Sequence, residues 1–376
     1  MKRIAVLGCG AVGRHMAIDL SQDPEFEVIS VDIDREVLDF LARKHSIQTR
    51  VEDLSTARGV TRAVEGADLV IGSVPYSIGY AMLEGVIRVG KNTVDISYSL
   101  EDPFGLDGLA KEMGVTAVVD CGVAPGMANI ILGDHARTMK VTRYECYVGG
   151  IPKATDAPLG YKSPFPVLEV LEEYAGSARK VEDGEIVVEP MLAESGTIDF
   201  AEIGPLACLN SDGLRTLIRT MDIPNMFEKT LRYPAHVDAM RIFRDAGFLS
   251  LTPIQVQGCS VRPIDVTASL LSPLWRYESG EADLTLMRLV ISGEEDGEPV
   301  TYTYDVCDEY APTSETLSMA RTTGYTCTAV ARLVLGGRYS EKGICPPEFV
   351  GRVAGCWKGV ERYLEDRGVR CRMQRS

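Results

Sequence analysis

Short apolar runs alternate with amphipathic stretches through the first 126 residues. Residues 3–7 read as a buried strand, and Val12, Met16, Ala17 and Leu20 follow at helical spacing. After the breaker Ser21-Gln22-Asp23-Pro24, residues 26–31 form a second strand pattern that ends on Asp32. Asp34 can cap a helix over residues 35–44, whose apolar stripe is Val37, Leu38 and Leu41. A strand at 48–51 and a helix at 55–64 come next. Residues 68–74 are almost continuously apolar, the mark of a parallel strand covered on both faces. Helices at 78–89 and 106–113 and strands at 92–96 and 115–119 complete about six β/α units, enough for one doubly wound parallel sheet.

Beyond residue 126 the pattern changes. A strand at 144–150 leads into a loop, 153–166, rich in proline and small residues, and then a helix at 167–174. Strands at 186–188 and 197–200, helical stretches at 212–220 and 234–246, and a hairpin of 283–292 with 300–305 around an acidic turn follow. Consecutive strands of this kind favour a mixed or antiparallel sheet. Residues 319–335 and 350–367 return to helical periodicity.

Between the first strand and helix lies Gly8-Cys9-Gly10-Ala11-Val12-Gly13, a G-x-G-x-x-G. Gly8 permits the tight turn, Gly10 lets a pyrophosphate approach the backbone, and Gly13 lets the helix pack close to the sheet. The N–H groups at the helix start, around Ala11 and Val12, would face the phosphates. Asp32 stands where an acid hydrogen-bonds the adenosine ribose. A carboxylate there repels a 2′-phosphate, so the cofactor expected is NAD, with NADP kept open by the nearby Arg35. Asp53, at the end of the third strand, is placed for adenine. Val74, Pro75 and Tyr76 follow the fourth strand, at the carboxyl edge where open α/β sheets bind ligands. The expected fold is a Rossmann-type doubly wound parallel sheet (1–126), with an inserted α+β substrate and oligomerisation domain (127–315). A C-terminal helical segment (316–376) packs back on the first domain.

The length of 376 residues agrees with about two domains. A net charge of −15 disfavours nucleic acid and anionic membranes and mildly favours a cationic ligand. The 10 cysteines are scattered with no C-x-x-C, and none of the 4 histidines sits at ligand spacing from one. Neither a metal site nor a disulfide framework is expected, and free thiols fit a reducing cytoplasm. No apolar run approaches ~18 residues, and a strand at the N-terminus leaves no room for a signal peptide.

Chemistry is expected at strand ends: Tyr76, Asp95, Ser97, Tyr98, Asp120 and Cys121. Asp95 and Asp120 end neighbouring strands, so together they could attract an ammonium and act as a base; the alternative is that each only caps a turn. Tyr98 reads as a proton relay, a stacked wall or a core residue. Cys121 reads more readily as a small buried residue than as a nucleophile. In the second domain, Lys162, Asp212, Arg215, Arg232 and His236 combine charge with aromatic and glycine or proline neighbours. Arg215 and Arg232 suit a carboxylate clamp, against the alternative of surface ion pairs. His236 suits proton transfer, against a scaffold role.

Several stretches together resemble the saccharopine dehydrogenase-like family, within it the lysine 6-dehydrogenase branch. They are Val94-Asp95-Ile96-Ser97-Tyr98, Asp120-Cys121-Gly122-Val123-Ala124-Pro125-Gly126, Val148-Gly149-Gly150-Ile151-Pro152, Tyr161-Lys162-Ser163, Ser211-Asp212-Gly213-Leu214-Arg215-Thr216 and Thr230-Leu231-Arg232-Tyr233-Pro234. Thr323-Gly324-Tyr325-Thr326 and Gly343-Ile344-Cys345-Pro346-Pro347-Glu348 also fit. The resemblance implies a homo-oligomeric enzyme that removes hydride from a carbon bearing an amino-acid amine. For the lysine branch it implies release of ammonia from the ε-position of L-lysine, leaving a 6-semialdehyde that cyclises. Asp95, Tyr98, Asp120 and Lys162 would serve the amine, and Cys121, Asp212, Arg215, Arg232 and His236 the rest of a basic amino acid. Saccharopine enzymes tend to carry an acid where this chain has Ala124. The rival readings are a saccharopine-type or carboxynorspermidine-type dehydrogenase and a catalytically silent NAD-binding protein.

Overall fold

A computed structural model describes residues 1–193, 196–200 and 203–376. The chain divides into two compact units, Met1–Thr138 with Ala320–Val369, and Met139–Met319 with Arg370–Ser376. In the first unit, strands β1 (Lys2–Leu7), β2 (Phe26–Asp32), β3 (Gln48–Val51), β4 (Leu69–Gly72), β5 (Asn92–Asp95) and β6 (Thr116–Val118) are all parallel. Helices α1 (Gly13–Ser21), α2 (Arg35–His45), α3 (Ala57–Ala63), α4 (Tyr76–Arg88) and α5 (Asp107–Glu112) alternate with them. Leu69, Val70 and Ile71 of β4 are all fully buried. Each such side chain contributes about 1.5–3 kcal/mol, and their unbroken run reflects cover on both faces. Asp34 caps α2 as expected, accepting from Glu36 N–H and Val37 N–H. The sheet runs β3-β2-β1-β4-β5-β6, so the order reverses between β1 and β4, the switch point at which such sheets bind ligands.

The first unit continues past residue 126. Helix α6 (Met127–His135) stays with it. Cβ atoms at Gly133 and Gly351 would lie 2.2 Å from Glu348 O and 2.1 Å from Ile130 O, so two backbones are in contact there. Asn129 Nδ2 also donates to Glu348 Oε2 at 3.1 Å. The boundary at 126 is therefore corrected to 138.

The second unit is built on a nine-stranded sheet. Its strands are β7 (Lys140–Pro152), β8 (Ser177–Glu182), β9 (Glu185–Pro190), β10 (Thr197–Phe200), β11 (Gly204–Ser211) and β12 (Asn225–Arg232). Away from these lies a separate hairpin, β13 (Ile254–Val256) with β14 (Cys259–Val261); the long β15 (Asp283–Glu295) and β16 (Glu298–Glu309), with a last strand from residues Cys371–Arg375, complete the nine. β12 and β7 are parallel and their other partners antiparallel, a mixed sheet. Helices α7 (Val167–Ala175), α8 (Leu217–Thr220), α9 (Pro234–Asp245) and α10 (Pro263–Trp275) belong to the same unit. Residues from α7, α9 and α10 share one core with Tyr161 and Leu209.

The expected helix over 212–220 shrinks to the single turn α8. Arg215 sits at φ 40°, and a Cβ at Gly213 would fall 1.6 Å from Glu228 Oε1, so the sheet presses the segment into a turn. The tail also differs from a helical segment. After α11 (Ser318–Leu335), strand β17 (Gly343–Cys345) adds to β6 in parallel. The periodicity at 350–367 divides into α12 (Pro347–Gly351) and α13 (Cys356–Glu365), separated at Gly355, φ 78°. The last residues form β18 (Cys371–Arg375) on β16, in the second unit. Asp19 of α1 ties the tail to the first unit. Buried, it accepts from Arg367 Nε at 2.6 Å and Thr328 Oγ1 at 2.8 Å, and Tyr363 Oη also donates to it.

No described helix is long and apolar enough to cross a membrane. All ten cysteines are free.

Candidate active site residues

The glycine turn joins β1 to α1. Gly8 has φ 88°, and a Cβ there would lie 2.1 Å from Ser73 O, so only glycine fits against the end of β4. A Cβ at Gly13 would lie 1.9 Å from Gly8 O. At Gly10 a Cβ would meet no protein atom within 4 Å. The turn is thus tight on the sheet side and open at Gly10, the shape a pyrophosphate needs. Val12 begins α1 with no side-chain cap, and the first turn holds no acid, which leaves its positive end to an anion. Asp32 Oδ2 accepts from Cys9 N–H at 2.6 Å and Oδ1 from Asp34 N–H at 2.9 Å. These bonds hold the carboxylate beside the turn. A dinucleotide fits this cradle. Burial pushes the Cys9 thiol up to about 12, so it packs rather than reacts. Asp53 is exposed and accepts from Ser55 Oγ at 2.6 Å and Ser55 N–H at 3.0 Å. Val74 N–H donates to Ser97 Oγ at 2.9 Å, which ties the Val74-Pro75-Tyr76 turn to the end of β5.

Asp95 and Asp120 come together as their neighbouring strands imply. Both are buried, and Cys121 N–H donates to Asp95 O at 3.0 Å. Burial pushes Asp95 up to about 6, with the charge of Asp120 adding to the effect, while two bonds from Ser97 oppose it. One of those bonds is Ser97 N–H to Oδ1 at 2.7 Å. Asp120 adopts φ 53°, uncommon for a residue with a side chain. Tyr98 is 44% exposed, which excludes the core reading. Cys121 is fully buried beside Cys327 of α11, whose thiol burial raises well above the ordinary range. α11 thus lines this part of the unit, within the C-terminal segment expected to pack back on the first domain.

In the second unit Arg232 ends β12, and Tyr233 and Pro234 turn the chain into α9, so Arg232 and His236 share one cluster. Arg232 Nε donates to Tyr174 Oη at 2.9 Å and Nη2 to Tyr161 Oη at 3.3 Å, and its carbon lies 4.7 Å from the Tyr161 ring centre. His236 Nδ1 lies 2.9 Å from Leu159 O and Nε2 3.0 Å from Tyr174 Oη. The carbonyl can only accept, so Nδ1 carries the proton and Nε2 accepts from the tyrosine. Burial, then the Arg232 charge, lowers His236 to about 3. The ring is neutral and fully buried, a positioning group rather than a proton carrier near neutrality. Tyr161 stacks on His236 at 4.7 Å and meets Trp275 edge-on at 5.0 Å. Trp275 was not foreseen, although Pro263 followed by Ile264, Ala268, Leu271 and Trp275 carries a helical signal. Its Nε1 and Tyr277 Oη are buried without hydrogen-bond partners.

The other second-unit candidates lie elsewhere. Asp212 forms a two-pronged ion pair with Arg179, at 2.8 and 2.7 Å. The Asp212–Arg215 turn follows Ser211, which pairs with Glu228, whereas Arg232 pairs with Ala207. Arg215 and Arg232 therefore flank opposite ends of the β11/β12 ladder and do not make a single clamp. Lys162 is ion-paired with Glu281 and donates to Arg276 O at 3.3 Å. Among the described residues no group of His, Cys, Asp and Glu could hold a metal ion.

Comparison with known proteins divides the chain at residue 118. The family model for the saccharopine dehydrogenase NADP binding domain matches residues 4–118, and that for the saccharopine dehydrogenase C-terminal domain residues 119–366. The saccharopine dehydrogenase [NADP(+), L-glutamate-forming] of Pyricularia oryzae is 24% identical, over 78% of this chain and 82% of its own. The Schizosaccharomyces pombe protein of that name is 22% identical over the same shares. The solved apo saccharopine dehydrogenase (L-Glu forming) of Saccharomyces cerevisiae shares the fold, with a TM-score of 0.81 over 100% of both chains at 19% identity. The chain belongs to the saccharopine dehydrogenase family, and with it to the NAD(P)-dependent amino-acid dehydrogenases.

Proposed function

We propose that this chain is a saccharopine-type dehydrogenase that cleaves a secondary amine joining two amino-acid skeletons, with release of L-glutamate, and that it uses NAD. The observation that carries the reading is the match of both family models along 4–366, in line with relatives named for glutamate formation. The glycine turn at 8–13 and Asp32 would hold a dinucleotide whose nicotinamide would supply a hydride acceptor for the carbon bearing the amine. Asp95, which burial holds near 6, takes the amine proton as its carboxylate at neutral pH. Water then attacks the imine, giving an aldehyde and a free amine. Asp120 raises the basicity of Asp95, and Tyr98 lies on the loop that follows Asp95. Within the second unit, Arg232, wired to two phenols and a carbonyl, is a buried positive charge. Both fungal relatives are named for NADP. NAD is inferred here from Asp32, whose anchored carboxylate would repel a 2′-phosphate.

Oxidative deamination of L-lysine at the ε-carbon is the second reading, favoured by Ala124 in the loop after Asp120, where saccharopine enzymes tend to carry an acid. NADH formation at 340 nm with saccharopine, then with lysine, tests both. Turnover of saccharopine alone supports the first reading, and turnover of lysine alone replaces it with the second. Silence with both substrates and both cofactors, alongside measurable NAD binding, sinks the dehydrogenase assignment.

A further inference from the structure

Asp95 lies deeper than a group that must meet a substrate amine directly. It is 3% exposed. Its carboxyl rests over Gly72 at the end of β4, where a Cβ would fall 2.4 Å from Asp95 Oδ1 and 2.6 Å from its carboxyl carbon. The same Cβ would lie 2.8 Å from Met82 Cε of α4, so the carboxyl is walled by apolar atoms on that side. Ser97, two residues on, is only partly buried. Its N–H donates to Asp95 Oδ1 at 2.7 Å, and its hydroxyl also bonds the Asp95 side chain. Ser97 Oγ accepts in turn from Val74 N–H at 2.9 Å. A serine hydroxyl has one proton to give and two lone pairs to offer. The proton goes to Asp95 and one lone pair to Val74, which leaves one acceptor position. That position adjoins the coenzyme cradle, because the loop carrying Val74 starts at Ser73, whose carbonyl oxygen would lie 2.1 Å from a Cβ at Gly8. All of these groups belong to the first unit.

We propose that Ser97 is a proton relay: the substrate amine gives its proton to Ser97 Oγ as the Ser97 hydroxyl proton passes to the Asp95 carboxylate. Resting on the dehydrogenase reading above, the relay gives its buried base a path to the amine. An N–H bond of the amine and the O–H bond of Ser97 break, and new O–H bonds form on Ser97 and on Asp95. No electrons change hands in this transfer. Ser97 ends as a neutral hydroxyl and Asp95 as a neutral acid, so no charge is left on the serine. Asp120 and the Cys327 thiol are the other titratable groups beside Asp95, and substitution at Ser97 leaves both in place.

The full chain, Ser97→Ala and Ser97→Thr are compared by NADH formation with saccharopine and with lysine. Ser97→Ala should lose about 10²- to 10⁴-fold in kcat, whereas Ser97→Thr keeps a hydroxyl and should stay within about tenfold of the parent. The acidic limb of kcat/KM should move up by about one pH unit in Ser97→Ala, because a carboxylate that loses a donor is the stronger base. Carbon-13 NMR of the aspartate carboxyls, with Asp95 assigned by its absence from Asp95→Asn, should show the same upward move without substrate. A folded Ser97→Ala with the parent kcat, or with an unmoved Asp95 titration, overturns the relay and leaves the dehydrogenase reading standing. So does a Ser97→Thr as impaired as Ser97→Ala. A parent silent with both substrates overturns the reading and the relay together. Should Ser97→Ala fail to fold, Ser97→Cys, whose thiol is a weak donor, takes its place with the same outcomes.

Discussion

Replacing Asp95 by asparagine separates its two expected roles, as a proton acceptor and as a buried charge. In the unfolded chain its carboxyl titrates at 3.8, and in the fold burial moves it to about 6. Between those values the folded chain holds a proton that the unfolded chain has released. Stability therefore falls as pH rises through this window and levels off above it. The complete loss is about 3 kcal/mol, from 1.36 kcal/mol per tenfold change. An asparagine side chain stays neutral throughout, and its amide oxygen can still accept from Ser97 N–H. Relative to the parent, the stability of Asp95→Asn should thus improve by about 2 kcal/mol between pH 4.5 and pH 7.5. Urea unfolding followed by circular dichroism at both pH values measures this. A gap that stays constant with pH would show that Asp95 is not a strained buried acid. The same variant should lose about 10²- to 10⁴-fold in kcat if Asp95 is the base, and full activity would refute that role whatever the stability shows.

Three further substitutions test other parts of the molecule. Asp32→Ala should lower kcat/KM for NAD at least about tenfold and that for NADP much less; equal losses would make Asp32 a support of the turn alone. Tyr174→Phe interrupts the bonds from Arg232 to His236 and should cost about 1–3 kcal/mol in denaturant unfolding, and an unchanged midpoint would refute the chain of bonds. Arg367→Ala leaves the Asp19 carboxylate buried with only hydroxyl donors, and should destabilise the first unit by about 3 kcal/mol. Its loss of NAD affinity should follow that unfolding and not precede it.

Local rules carried the first unit. Its strands are parallel and, apart from the edge strand β3, largely buried, so β1, β2 and β4 stand out as apolar runs of their own, and the glycine turn is read from adjacent residues. The Asp95–Asp120 pair was also legible, because strand ends in such a sheet share one edge. Less was legible where partners are distant in sequence. Asp212 has the composition of a binding residue, yet Arg179 occupies it. His236 has the chemistry of a proton carrier, yet burial beside Arg232 holds it neutral. β17 is only three residues long and gains its place from β6, so no periodicity announces it. β11 and β12 were passed over because their pairing with each other and with β7 is non-local.

The position of β17 bears on how the protein is made. Its partner β6 ends at Val118, whereas β17 begins at Gly343. At synthesis rates of roughly 5–20 residues per second, β6 emerges from the ribosome about 10–45 s before the strand that covers its open edge. Over that interval Asp19 also waits for Arg367. The nascent first unit is an incomplete sheet with a bare edge, and its Asp19 lacks Thr328, Tyr363 and Arg367, while the second unit can close on nearly all of its strands. Ribosome-associated chaperones would meet this chain most often at the edge of β6.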